Sequence, residues 1–355
     1  MIEVRNLTKK YGNFFAVNDI SFDIEKGKIY GFLGPNGAGK STTMNIITGC
    51  LAATSGHVFV DGNDIFEKPL SAKRKIGYLP ELPPLYAEMT PAEYLGFVAE
   101  AKGVSYERIS KQVSEVMELT QITHVADRPI HHLSKGYRQR VGIAQALLGD
   151  PDVIILDEPT VGLDPAQIIE IRTLIRTLGK TKTVIVSSHI LAEISAVCDH
   201  VMILSHGRLV ANDSLQALEQ SALADARLHL TVKGDKDTVL PLLEVIPDIS
   251  DIVAQSQKEG GICCFSMKID VENDPRDTIF YTLAQNKMPI VEMCMTHATL
   301  EDIFLRLTSD EFVEQEESET PPSEDGYTPL FSEEAQEQAE GQDSEQDEQK
   351  EETEQ

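Results

Sequence analysis

A short glycine-rich segment near the start of the chain contains residue types that can hold a phosphate group. The segment is Gly34-Pro35-Asn36-Gly37-Ala38-Gly39-Lys40-Ser41, and it fits the pattern G-x-x-x-x-G-K-[ST]. In this pattern the glycines let backbone N–H groups close around phosphate oxygens, the lysine reaches the terminal phosphates and the hydroxyl can ligate Mg²⁺. We therefore predict that Lys40 and Ser41 hold the phosphates and the magnesium ion of a nucleotide.

A second segment that could take part in a reaction ends in two acidic residues, Val153-Ile154-Ile155-Leu156-Asp157-Glu158. The four apolar residues predict a central strand, and ligands bind beyond the carboxyl ends of strands in open α/β sheets. Asp157 would hold the Mg²⁺ that bridges the β- and γ-phosphates. Glu158 would accept a hydrogen bond from the attacking water and act as the general base. Together with the glycine-rich loop, this pair predicts hydrolysis of a nucleoside triphosphate.

The segments around the glycine-rich loop predict the strand and helix that must position it. Residues 28–33 form an apolar run typical of a buried strand, and residues 41–49, which begin with Ser41-Thr42, have apolar positions at helical spacing. The N-terminus of that helix would point at the bound anion.

Farther along, the spacing of apolar residues predicts an α/β fold. From Asp152 to Val210, continuous apolar strands alternate with helices, which favours a parallel sheet covered on both faces. Between about Thr90 and Gly149 the pattern is helical, with Thr90-Pro91 and Glu93 as a start signal and Ser134 as the cap of a later helix. We predict the parallel-sheet core of a P-loop NTPase (RecA-like) with a helical insertion subdomain at about residues 86–150.

The remainder of the chain divides into two parts. Residues 225–308 show the order β-α-β-β-α-β of a small α+β, ferredoxin-like unit, followed by a closing helix. Residues 309–355 are rich in Glu, Gln, Ser and Pro and predict a disordered acidic tail. This tail carries −18 of the net charge of −27, which leaves −9 for residues 1–308. With no basic block, the chain is not expected to bind nucleic acid.

The composition also indicates the cellular compartment. The five cysteines show no metal-ligand spacing, which favours reduced cytosolic thiols. No signal peptide is expected at the N-terminus, and no apolar run approaches the ~20 residues of a membrane-spanning helix. We expect a soluble chain whose membrane role, if it has one, requires another subunit.

Five motifs in a fixed order give the sequence a specific resemblance. They are the loop Gly34–Ser41, the segment Leu133-Ser134-Lys135-Gly136, the strand end Asp157-Glu158, the segment Gly162-Leu163-Asp164-Pro165 and the segment Ser187-Ser188-His189. Over roughly residues 1–220 this order resembles the ATP-binding subunit of ABC transporters. The resemblance implies an ABC-type ATP-binding domain at residues 1–224.

The resemblance also implies roles for residues outside the loop. Ser134 and Gly136, at the start of a helix, would contact the γ-phosphate held by the other subunit, which suits the affinity of helix N-termini for anions. Asp164 would lie at the dimer seam, His189 would contact the γ-phosphate and Tyr11 would stack on adenine. His131 and His132 match no family position and are expected to be structural.

Two positions differ from the usual family pattern. Lys135-Gly136-Tyr137 stands where the family usually has Gly-Gly-Gln, so only one of the two glycines remains. Glu81 stands where the family usually has Gln, and its carboxylate can still ligate Mg²⁺ or orient water. Both differences resemble the type-2 branch of ABC exporters, as does the ending from His297 to Phe304.

The function expected from these observations is an ATPase subunit that drives a membrane exporter. Two copies, identical or close paralogues, would sandwich ATP and Mg²⁺ head to tail, with a polytopic permease docking near Glu81–Tyr94. The subunit would be cytoplasmic and peripheral on the inner face of the cell membrane. A soluble ABC-type ATPase that acts on ribosomes or DNA and a non-hydrolysing nucleotide sensor are the alternatives. The cargo stays open among lipid, peptide, antibiotic and polysaccharide.

Overall fold

The computed structural model describes residues 1–224, 227–258, 261–269, 273–296 and 299–309. Apart from Ser309, the expected acidic tail lies outside the described residues, and so do His297 and Ala298 of the exporter-type ending. Every helix within the described ranges is too short or too polar to span a lipid bilayer.

Ten strands and eight helices build residues 1–224. The strands are β1 (Ile2–Tyr11), β2 (Phe14–Ile24), β3 (Ile29–Leu33), β4 (Ser55–Val60), β5 (Asn63–Asp64), β6 (Ile76–Leu79), β7 (Val153–Leu156), β8 (Thr183–Ser188), β9 (His200–Ser205) and β10 (Arg208–Ser214). The helices are α1 (Lys40–Ile47), α2 (Pro69–Lys73), α3 (Pro91–Ala101), α4 (Tyr106–Leu119), α5 (Lys135–Leu147), α6 (Pro165–Gly179), α7 (Leu191–Ser195) and α8 (Leu215–Ala224).

The central sheet has six strands in the order β10-β9-β3-β8-β7-β6. The five strands from β9 to β6 are parallel, and β10 joins β9 in an antiparallel edge. Both faces of the sheet are covered: alternate residues of β7 enter two different apolar clusters, Ile154 and Leu156 one of them and Val153 and Ile155 the other. Each fully buried aliphatic side chain of this kind contributes about 1.5–3 kcal/mol. The structure therefore has the predicted parallel α/β core.

The two faces are covered by different kinds of structure. Side chains from α5, α6 and α7 pack on one face. The other face is covered by α1 and by a separate four-stranded antiparallel sheet in the order β2-β1-β4-β5. This second sheet was not predicted, because the alternation of Ile20, Phe22 and Ile24 indicates a strand and does not indicate its partner. Helix α2 was also not predicted.

The helical insertion consists of α3, α4 and α5. Thr90 caps α3 through a reciprocal capping box with Glu93, and Ser134 caps α5 by accepting from the N–H of Tyr137. Both caps agree with the predicted start signals. Helix α5 ends at Leu147 rather than at Gly149, because Leu148 already has extended backbone with ψ of 144°.

The last part of the described chain is a smaller antiparallel sheet with helices. Its elements are β11 (Arg227–Lys233), α9 (Lys236–Glu244), β12 (Ile249–Lys258), β13 (Ile262–Ile269), α10 (Arg276–Gln285), β14 (Ile290–Thr296) and α11 (Leu300–Thr308). The strand order is β12-β13-β11-β14, with every neighbouring pair antiparallel. Its apolar cluster includes Leu230, Phe265 and Ile279.

Candidate functional site

The glycine-rich loop connects β3 to α1, as the sequence predicts. Gly37 and Gly39 have φ of +83° and +101°, a region that L side chains rarely adopt. A Cβ on Gly39 would lie 2.4 Å from the carbonyl oxygen of Ala16, so the loop could not take a larger residue there without moving. The loop is thus held in one compact shape before the first turn of α1.

Lys40 is buried and faces the interior of its own loop. Its Nζ donates to the carbonyl oxygens of Gly34 at 2.8 Å and Pro35 at 3.2 Å. The same ammonium lies 3.6 Å from Oε1 of Glu158. One cation therefore connects the loop with the acidic strand end.

Asp157 follows β7 directly and is 2% exposed. Its Oδ1 accepts hydrogen bonds from Ser41 Oγ at 3.2 Å and from Ser187 Oγ at 2.5 Å. Ser187 in turn accepts from the backbone N–H of Glu158 at 2.8 Å. The structure therefore brings Ser41 and Asp157, which are distant in sequence, into direct contact.

Glu158, the residue after Asp157, has an unusual backbone conformation. Its φ is +48°, and its carboxylate is buried. Nδ1 of His189 lies 3.0 Å from Oε2 and 3.2 Å from Oε1 of this carboxylate. Such strained positions persist only where the surroundings hold them, and they cluster at active sites.

An open cleft of about 570 Å³ contains most of the predicted site residues. It is lined by Tyr11, Phe14, Ala16, Asn36, Gly37, Gly39, Lys40, Ser41, Thr42, Glu81, Glu158, Val161 and His189. The ring of Tyr11 is half exposed, with Lys9 Nζ 5.1 Å from its centroid. The remaining loop residues, Gly34, Pro35 and Ala38, complete the same turn behind the cleft wall.

Asp157 contacts Ser41 without lining the cleft itself, and three other predicted residues belong neither to the loop nor to the cleft lining. Gly136 lines a different cavity of about 420 Å³ with Tyr137, Arg140 and Gln167. Ser134 is exposed at the start of α5, and Asp164 caps α6 by accepting from the N–H of Gln167 at 2.9 Å. Within one subunit these residues are therefore separate from the loop, as expected if they serve a second subunit's nucleotide.

The cleft is suited to a hard cation such as Mg²⁺. Among the described residues, no group of three or more His, Cys, Asp or Glu could hold a metal unaided. Mg²⁺ is typically bound by one or two carboxylates, phosphates and water. Ser41, Asp157 and Glu81 fit that requirement.

Other residues of the site were not predicted from the sequence. Ser187 was recognised only as part of the segment Ser187–His189, with no role of its own. Phe14, Ala16 and Val161 line the cleft because the loops fold there, and no motif identifies them. His131 has a structural contact, as expected, with its Nδ1 2.9 Å from the carbonyl oxygen of Ala87.

A parallel sheet with this loop after one strand and Asp-Glu after another defines the class of P-loop nucleoside triphosphatases. The family described as ABC transporter matches residues 17–161. The chain belongs to the ATP-binding subunits of ABC transporters.

Two similar proteins support this assignment over nearly their whole length. The chain is 33% identical to the bacitracin transport ATP-binding protein BcrA of Bacillus licheniformis, covering 86% of this chain and 97% of that protein. It is 31% identical to the linearmycin resistance ATP-binding protein LnrL of Bacillus subtilis, covering 87% and 98%.

Solved structures agree in fold. A structure of an ATP-binding subunit of an ABC transporter superposes with a TM-score of 0.57 at 31% identity, covering 62% of this chain and 92% of that chain. A dimeric ATP-binding cassette in a post-hydrolysis state with ADP and Pi gives a TM-score of 0.55 at 28% identity, covering 61% and 99%. The chain is thus an ATP-binding and ATP-hydrolysing subunit of an ABC exporter.

Proposed function

We propose that the cleft between the glycine-rich loop and Glu158 is where this subunit holds and hydrolyses Mg²⁺–ATP. The observation that carries the proposal is the contact of Ser41 Oγ with Asp157 Oδ1 at 3.2 Å. Ser41 and Asp157 would both offer an oxygen to one Mg²⁺ ion, whose remaining ligands would be phosphate oxygens and water. Glu81, which also lines the cleft, is a further oxygen ligand.

The residues of the loop take the phosphates. The backbone N–H groups of residues 36–42 surround them, with Lys40 directed to the terminal phosphates once it leaves its loop carbonyls. Tyr11 supplies an exposed ring on which adenine can stack. A Mg²⁺ ion held by Ser41 and Asp157 would neutralise charge on the phosphate oxygens.

Glu158 and His189 carry the hydrolytic step. The Glu158 carboxylate accepts the proton of the attacking water, and its contact with Lys40 and His189 keeps it aimed into the cleft. His189, which lies beside Glu158 and lines the same cleft, donates to the γ-phosphate. Burial of Glu158 behind the loop limits the water that can reach it.

The second subunit completes each site. Ser134 and Gly136 at the N-terminus of α5 approach the γ-phosphate bound by the partner copy, because a helix start offers free N–H groups and a favourable dipole. Asp164 lies at the seam between copies. The partner is an identical chain or a close paralogue.

The exporter function also requires a docking site for the permease, a polytopic protein that holds this subunit at the inner face of the cell membrane. We place it at residues 81–94, where Leu82 and Tyr86 are exposed apolar side chains. The ATP-binding domain comprises residues 1–224, with the helical subdomain at about 86–150. The antiparallel order of β11 to β14 supports a ferredoxin-like accessory domain at residues 225–308.

The test is the substitution Glu158→Gln in the full chain assembled with its permease. It removes the base and keeps the size of the side chain, so ATP binding should persist, an ATP-bound dimer should accumulate and turnover should fall about 100-fold or more. Glu115→Gln on α4 is the matched control, because that carboxylate is exposed. Full turnover in Glu158→Gln would remove Glu158 from the role of base.

A further inference from the structure

A buried carboxylate outside the cleft connects the two loops that carry Glu158 and His189. Glu193, on the short helix α7, is only 9% exposed. Its Oε2 accepts hydrogen bonds from Thr160 Oγ1 at 2.6 Å and from Ser188 Oγ at 2.9 Å. One oxygen atom therefore fixes the separation of two hydroxyls, one in the loop after β7 and the other at the end of β8.

Thr160 lies in the loop that follows β7, two residues after Glu158. This loop is a tight turn, in which the N–H of Val161 donates to the carbonyl oxygen of Glu158 at 3.3 Å and that of Leu163 to Thr160 at 3.2 Å. A hydrogen bond at Thr160 therefore restrains the turn directly after Glu158.

Ser188 is the last residue of β8 and immediately precedes His189. Its Oγ accepts from the N–H of Ile190 at 3.1 Å while it donates to Glu193. The serine hydroxyl thus links the residue before His189 to the backbone N–H of the residue after it. Its position determines where the imidazole can lie.

The chemistry of these contacts makes the connection stiff. A carboxylate at this depth loses its hydration, and hydrogen bonds must compensate for that loss. Hydroxyl donors to an ionised carboxylate form short, strong bonds, and both described partners of Glu193 are of this kind. Neither loop can move away without leaving a buried charge without partners.

We propose that Glu193 is a positioning residue for hydrolysis: it holds the loops after β7 and β8 so that His189 Nδ1 stays 3.0 Å from Glu158. The inference rests on the proposed roles of Glu158 and His189. Glu193 itself does not line the cleft, so it acts on the reaction only through these two loops.

The first test compares variants of Glu193 by steady-state ATPase kinetics of the full chain with its permease. In Glu193→Ala both hydrogen bonds are lost, and kcat should fall about 10- to 100-fold while KM for ATP changes less than about threefold. Glu193→Gln should retain at least about a third of kcat, since the amide oxygen can accept from both hydroxyls. Glu115→Ala, an exposed control on α4, should be unchanged.

The second test asks whether the three side chains act as one unit. Thr160→Val and Ser188→Ala should each lower kcat less than Glu193→Ala does. Either substitution added to Glu193→Ala should cause little further loss, because the connection is already broken. Losses that multiply independently would contradict a common connection through Glu193.

The third test separates positioning from simple loss of folding. In the Glu158→Gln background, Glu193→Ala should still accumulate the ATP-bound dimer, because the nucleotide-binding loop is intact. Loss of that dimer, or a wild-type kcat for Glu193→Ala, would overturn the proposal. A Glu158→Gln subunit that traps no dimer even with Glu193 intact would contradict the proposed function instead, so the two failures are distinguishable.

Discussion

Ser41 and Asp157 are 116 positions apart in the chain, yet their side chains form a hydrogen bond of 3.2 Å. The order of the central sheet explains this contact. Strand β8 lies between β3 and β7, so the segments after all three strands emerge at one edge of the sheet. Ser187 at the end of β8 bonds to Asp157 and completes the group. Strand order thus brings together the two residues that we propose as metal ligands, as is usual for ligand sites in α/β sheets.

Replacing Ser41 should weaken the binding of Mg²⁺ more than the binding of the nucleotide. Ser41→Ala removes one oxygen ligand and leaves the loop N–H groups in place. At saturating ATP, the Mg²⁺ concentration for half-maximal ATPase activity should rise about tenfold. A titration with Mg²⁺ at fixed ATP measures this, with Ser110→Ala on α4 as an exposed serine control. An unchanged Mg²⁺ requirement would exclude Ser41 as a ligand.

The sequence was sufficient to predict where the glycine-rich loop and the acidic strand end lie in the fold. Residues 34–41 are contiguous and their glycines have a definite conformational purpose, so the motif specifies its own geometry. The strand residues 153–156 are apolar throughout, which identifies a strand buried on both faces and places Asp157 at its end. Local order alone thus predicted two of the components that meet in the cleft.

The parts that were missed depend on contacts between distant segments. Nothing local distinguishes Glu193 from other glutamates on short helices, and its burial appears only when β7 and β8 are neighbours. The second sheet was missed for the same reason, since its strand pairs join residues far apart, such as Ile2 with Val60. The helix-capping position of Asp164 is local, and the sequence Asp164-Pro165 would have allowed it to be predicted.

The two inner glycines of the loop should differ in their tolerance of alanine. Both have positive φ, so alanine should cost about 1 kcal/mol or more at either. At Gly39 the new Cβ would also lie 2.4 Å from a backbone oxygen, whereas at Gly37 no atom lies within 4 Å. Gly39→Ala should therefore lower the free energy of unfolding by about 2 kcal/mol more than Gly37→Ala.

Urea unfolding of the nucleotide-free subunit, followed by circular dichroism because the chain has no tryptophan, measures the difference. Leaving ATP out separates the folding of the loop from its contacts with phosphate. Equal losses for the two variants would show that Ala16 can move aside.

Lys102 connects the end of α3 to the end of α5, the helix that begins after Ser134. Its Nζ donates to the carbonyl oxygens of Gln145 at 2.9 Å, Ala146 at 3.3 Å and Leu148 at 3.0 Å. Cations are favourable at helix C-termini, where such carbonyls are unpaired. Burial nevertheless lowers the pKa of Lys102 to about 8 from an ordinary value of 10.5.

This lowered pKa predicts how stability changes with pH. Between pH 8 and 10.5 the unfolded chain binds more protons at Lys102 than the folded chain does. The free energy of unfolding should therefore rise with pH in this window. Below pH 8 Lys102 is protonated in both states and should not change the stability. Relative to Lys102→Met, the wild-type free energy of unfolding should increase by about 1–2 kcal/mol from pH 7.5 to pH 9.5. Urea unfolding at both pH values measures this change. If the difference in free energy of unfolding between wild type and Lys102→Met stays constant with pH, Lys102 keeps an ordinary pKa. If that difference shrinks as the pH rises, its pKa is raised. Either result would show that the hydrogen bonds to the three carbonyls outweigh burial.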